Sequence, residues 1–135
     1  MKSLVALPIL LLLLLLLPML VGCGASRPTV NDATQAIQKR LAEWDHGFKL
    51  VSFRKTNGIA SVENGVSHYK LEGECDVEFT KNGRWDGRFV NEVTTSGPPV
   101  NAGQRGKIPY EITFEKTENG WRSTGISVRC VNPLK

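Results

Sequence analysis

The chain is poor in the residues that usually carry chemistry. Its 135 residues include two histidines, three cysteines, two tyrosines and two methionines. No His-x-Glu-x-x-His, EF-hand or Cys-x-x-Cys spacing occurs, which excludes metal centres of those kinds. The stretch Gly103-Gln104-Arg105-Gly106-Lys107 holds glycine and lysine without the spacing or following helix of a phosphate-binding loop. No nucleophile stands in sequence beside a base, so no catalytic residue, cofactor or metal ligand is assigned. There is no polybasic block either. Seventeen basic and 13 acidic residues are interspersed, with a formal net charge of +4, and nucleic acid is not an expected partner.

What the chain does have is one long apolar run at its start. Lys2 supplies a short positive region, and Leu4 to Leu17 is apolar apart from Pro8. Small residues follow at Gly22 and Gly24. This is the pattern of an export signal. Leu4 to Val21 is 18 residues, just long enough to span a bilayer uncleaved, although Pro8 and Pro18 count against a continuous helix. A plain secretory signal followed by a chance cysteine is the other alternative.

Leu20-Val21-Gly22-Cys23 resembles a bacterial lipobox: an aliphatic residue at −3, a small one at −1, and cysteine at +1 directly after the apolar run. The resemblance implies a diacylglycerol on the Cys23 sulfur and cleavage after Gly22. It divides the chain into a signal (1–22), a lipidated tether (23–28) and a single domain (29–135). Two or more acyl chains give stable anchoring where one is marginal. Gly24 at +2, where aspartate favours inner-membrane retention, implies the outer membrane, with the domain facing the periplasm. The implied partners are the membrane, through the N-terminal lipid, and an envelope protein.

The domain reads as α+β. Thr29 and Asp32 offer helix caps, and Val30, Ala33, Ile37, Leu41 and Trp44 recur every three or four residues as one apolar stripe. Gly47 is the expected terminator. His46 is expected at the helix end, where a cationic side chain suits the dipole. Beyond it, four Asn-Gly pairs at 57–58, 64–65, 82–83 and 119–120 punctuate strand-like runs. About six strands follow: 48–55, 59–63, 66–80, 84–95, 107–117 and 121–131. A single N-terminal helix packed on a curved antiparallel meander is the expected architecture.

Apolar matching sets the expected registers. A three-residue loop at Lys81-Asn82-Gly83, with Gly83 left-handed, places Phe79 opposite Trp85, Cys75 opposite Phe89, Leu71 opposite Val93 and Asp76 opposite Arg88. A three-residue loop at Glu118-Asn119-Gly120 places Ile112 opposite Ile126, Tyr110 opposite Val128 and Ile108 opposite Cys130. The order of elements, ending in Ile112 to Arg122 ("ITFEKTENGWR"), loosely resembles cystatin-like and nuclear-transport-factor-two-like rolls. Fold analogy of this kind carries no function across.

With Cys23 lipidated, Cys75 and Cys130 remain as an even pair outside the cytoplasm, where a disulfide persists. In a plain meander they stand three strands apart, about 14 Å, too far to bond unless the sheet rolls, the strand order differs or the last strand ends before Cys130. Two buried free thiols are the alternative. His68, Glu72, Glu74, Asp76 and Glu78 share one strand face, expected to be solvated and balanced by Arg88 and other cross-strand charges, or to dock a basic partner. The long connection from Thr95 to Lys107 reads as a flexible hairpin link or a partner-contact loop.

Two functions fit these features. The first is a membrane-anchored envelope lipoprotein with a non-enzymatic protein-interaction domain in an accessory, assembly or inhibitory role. The second is a small-ligand module with an apolar pocket between helix and sheet, lined by Trp44, Tyr69, Trp85 and Phe114.

Overall fold

The computed structural model describes residues 27–129 and 131–135. The signal, Cys23 and Cys130 lie outside the described residues. The domain opens with helix α1, Val30–Ala42. A reciprocal cap starts it: Thr29 Oγ1 accepts from the Asp32 amide at 3.2 Å, and the Asp32 carboxylate accepts from the Thr29 amide at 2.7 Å. Ala33 and Ile37 of the expected stripe are fully buried and Leu41 packs partly buried against the core, joined by Ala36. The two ends of the stripe differ. Val30 and Trp44 are half-exposed, and Trp44 lies beyond the C-cap, Glu43. Gly47 therefore does not end the helix. At φ +80 it turns the chain into the first strand, four residues further on.

Seven strands follow among the described residues: β1 (Phe48–Glu63), β2 (Val66–Phe79), β3 (Gly83–Trp85), β4 (Val90–Asn91), β5 (Pro99–Val100), β6 (Arg105–Thr117) and β7 (Gly120–Val128). One helix against antiparallel sheets is an α+β plan, but not a single meander. A four-stranded sheet has the order β1-β2-β6-β7, and a small sheet has the order β4-β3-β5. The α1 backbone comes within 8 Å of β1 and β7, the two outer strands, so the large sheet curls around the helix.

The expected partner of β2 is displaced. Cys75 faces Ile108 and Leu71 faces Ile112, where segment 84–95 was expected to supply Phe89 and Val93. Asp76 faces Lys107 in place of Arg88. Gly83 does not take a left-handed conformation. The reason is local. Asp86 Oδ1 accepts from the Arg88 and Phe89 amides at 3.0 and 3.1 Å, with Gly87 at φ +104. Asn91 Oδ1 accepts from the Val93 and Thr94 amides at 2.8 and 3.1 Å. Two side-chain-closed turns thus break segment 84–95 into short pieces. Val93 ends 91% exposed. Segment 105–117 offers Ile108, Tyr110, Ile112 and Phe114 without interruption, all at most 4% exposed.

The first two Asn-Gly pairs part company. Asn64-Gly65 is the expected hairpin turn, of two residues with φ +52 and +78, closing Glu63 onto Val66. Asn57-Gly58 lies inside β1, beside a bulge between Lys55 and Asn57. In the last hairpin, Ile112 faces Ile126 and Tyr110 faces Val128, as apolar matching requires. The device is not a three-residue loop, however. Thr117 faces Gly120 across a two-residue turn, and a shift between Thr113 and Phe114 moves the register by one.

Candidate binding cleft

The sheet's inner face and the C-terminal end of α1 leave a cleft of about 600 Å³. Arg40 reaches it from the last turn of α1, Trp44 and His46 from the α1–β1 connection, and Arg88 from the Asp86 turn. Tyr110 of β6 and Ile126 and Val128 of β7 form the sheet side. His46 is 7% exposed and lies three residues past the C-cap, Glu43, rather than at the helix end. Its ring stacks on Trp44 with centroids 3.6 Å apart, and its Nδ1 donates to the Trp44 carbonyl at 2.8 Å. Phe89 meets Trp44 edge-on at 5.4 Å. The result is an aromatic wall in a cleft that also holds two arginines.

Electrostatics make the cleft cationic. Arg40 pairs with Glu43 at 3.2 Å, both half-exposed. Arg88 makes no side-chain hydrogen bond or ion pair among the described residues. Asp86 also lines the cleft and offsets one of the two positive charges, leaving two arginines against one carboxylate; its Oδ1 accepts two amides of its own turn. Burial pushes the Tyr110 hydroxyl pKa upward, the negative form of Cys75 would push it further, and Arg40 opposes both. Such a site can hold an anion next to an apolar or aromatic group.

The four residues expected to line one apolar pocket are not brought together. Trp44 lines the cationic cleft. Tyr69 lines a groove at the hairpin end of the sheet. Trp85 borders a hollow beside Gly97 and Pro98, and its ring meets Phe48 and Phe79 edge-on. Phe114 is buried in the core. Arg40 was not singled out from sequence, and Arg88, expected opposite Asp76 on the acidic face, lies instead in this cleft. The Asp86-Gly87 pair was the available signal, since it is a turn dipeptide inside an apparent strand.

The acidic face is a ladder of charges. Glu78, Asp76 and Glu74 on β2 lie between Lys49, Ser52 and Arg54 on β1 and Arg105, Lys107 and Pro109 on β6. Lys107 bonds Asp76 at 2.8 Å and Glu74 at 3.4 Å, and Arg54 bonds Glu74 at 3.3 Å. Among the described residues, no three His, Cys, Asp or Glu side chains gather as a metal centre. The Thr95–Lys107 connection is tied down. Its β5 pairs with β3, and Asn82 Oδ1 accepts from the Ala102 amide at 2.8 Å.

Cys75 is a fully buried free thiol whose pKa is raised to about 12 by burial and by the neighbouring Asp76 and Glu74. Its expected partner, Cys130, falls outside the described residues. β7 ends at Val128, before that position, and a single strand, β6, separates β7 from β2. Compared with known proteins, the chain matches no family model, no curated protein and no solved structure.

Proposed function

We propose that the chain is a lipoprotein of the bacterial envelope, anchored through Cys23, whose domain binds an acidic, aromatic-bearing segment of a partner protein. The outer membrane, facing the periplasm, is the proposed location, resting on the Leu20–Cys23 sequence and Gly24. One observation carries the binding role: Arg40 and Arg88 line the same cleft, of about 600 Å³, as the stacked Trp44–His46 pair. Guanidinium groups beside aromatic rings suit carboxylates carried next to apolar side chains. A non-enzymatic role fits the side chains available. The Nδ1 of His46 is engaged by a backbone carbonyl, and Cys75 is buried with its thiol held protonated. A cystatin-like roll is supported by the single helix and the sheet that curls round it.

The test uses fluorescein-labelled peptides of alternating acidic and aromatic residues, titrated into the mature chain. Arg88→Glu should weaken binding at least about tenfold, a loss of about 1.4 kcal/mol, while Arg88→Lys keeps most of it. Binding that ignores Arg88, or no binding across the set, defeats the reading. The second reading, a small-ligand module, draws on the same cleft, whose size lies within the usual range for small-molecule sites. Thermal stabilisation by small lipophilic carboxylates, without peptide binding, would favour it.

A further inference from the structure

The large sheet is longer than the helix that covers it. The β1–β2 hairpin extends to Asn64-Gly65, and its concave face there carries Ala60 and Val62 opposite Tyr69 and Ser67. Across the sheet, Lys116 faces Trp121, with Nζ 5.2 Å from the indole centroid. Between these residues lies a groove of about 390 Å³. Val62 at its edge is 69% exposed, a large apolar side chain left in the open.

The chain enters the domain at this same groove. Arg27 lines it, Pro28 is buried, and Thr29 caps α1, so the point of entry is fixed. Arg27 is four residue steps from Cys23, a reach of about 14 Å at full extension. A lipid on Cys23 therefore brings the bilayer to the hairpin end. The cleft at the other end of α1 stands further off by the length of a 13-residue helix, about 20 Å.

We propose that the hairpin end of the sheet is a bilayer-contact surface, with Val62, Lys116 and Trp121 seated in the phospholipid headgroup layer. This rests on the lipid-anchor reading. Tryptophan favours the boundary between headgroups and acyl chains, and basic side chains extend their ends to lipid phosphates. Among the described residues that line the groove, Arg27 and Lys116 are basic and none is a carboxylate. Glu115 nearby is paired with Arg122 at 3.5 Å. Glu63, exposed at the end of β1, and Glu118, exposed on the β6–β7 turn, hold the contact at headgroup depth and oppose deeper insertion. With this end on the membrane, the cationic cleft faces away from it, open to a partner.

The test reconstitutes the mature chain into vesicles of three parts phosphatidylcholine to one part phosphatidylglycerol. The phosphatidylcholine carries bromine near the headgroup end of its acyl chains, and tryptophan emission is read. Brominated lipid should quench emission, and the quenched fraction should fall about threefold in Trp121→Phe but hold in Trp44→Phe. Val62→Asp, at an exposed site, should reduce quenching about twofold with an unchanged thermal midpoint. Flotation of the vesicles on a density gradient reports the anchor separately. Protein that floats without Trp121-dependent quenching overturns the contact surface alone; the groove is then covered by protein, or empty. Protein that does not float and carries an unmodified Cys23 overturns the anchor and the contact surface together.

Discussion

Phe53 of β1 lays its ring over Gly73 of β2. A Cβ added at Gly73 would overlap that ring and come within 2.6 Å of the Arg54 carbonyl oxygen. Two positions along the same hairpin, the relationship recurs with partners exchanged: the Tyr69 hydroxyl of β2 sits over Gly58 of β1 and accepts from Lys55 Nζ at 2.8 Å. Each glycine makes room for a diagonal aromatic, which restores the packing that a strand glycine lacks.

Gly73→Ala and Gly58→Ala should therefore each lower stability, by about 1–3 kcal/mol, through overpacking. Gly125→Ala is the control, because nothing lies within 4 Å of an added Cβ there and its φ is not left-handed. It should stay within about 0.5 kcal/mol. Urea unfolding of the three variants checks the contrast.

Cys75 should resist alkylation in the native protein at pH 8 and react fully in urea without reductant. Its thiol is fully buried and its pKa is about 12, so thiolate is scarce and access is closed. Iodoacetamide labelling followed by intact mass measurement reads both states. A Cys75 that stays unlabelled in urea until reductant is added would reveal a disulfide.

Acid should weaken the charge ladder in a defined direction. The hydrogen bond from Lys107, then that from Ser52, holds the Asp76 carboxyl below the usual carboxylate range. Its contribution to stability is full above the unfolded value, about 3.9, and is lost as pH falls through the lowered native value. Wild type should lose more stability than Lys107→Met between about pH 5 and the acid limit. Urea midpoints across that range test the difference.

Thr29→Ala should cost about 0.5–2 kcal/mol by removing the N-cap. The Asp32 amide loses its acceptor, and the Asp32 carboxylate loses the Thr29 hydroxyl that donates to it at 2.9 Å. Thr29→Ser should restore most of that stability, which thermal unfolding by circular dichroism can measure.

Legibility in the sequence tracked the distance over which each feature is decided. The helix start was legible because its cap spans three residues. The alternation of β2 was legible because neighbours on one strand take opposite faces whatever they pack against. The pairing of Ile112 with Ile126 was legible because a short hairpin leaves few registers open. The glycines of β1 and β2 were harder. Asn57-Gly58 looks like a turn unless Tyr69 is known to lie above it.

By itself, then, the sequence determined one capped helix, an antiparallel α+β domain and an inner face rich in Ile and Val. Only the tertiary structure decided which segment lies beside β2. Segments 84–95 and 105–117 both match its apolar residues on paper, and the choice depends on contacts far apart in the chain. The turns closed by Asp86 and Asn91 break the first segment, and an unbroken run of alternate apolar residues seats the second. That same displacement carries Arg88 to the end of α1, where it joins Arg40 to form the cationic cleft. A site assembled from four separate parts of the chain has no local pattern to announce it.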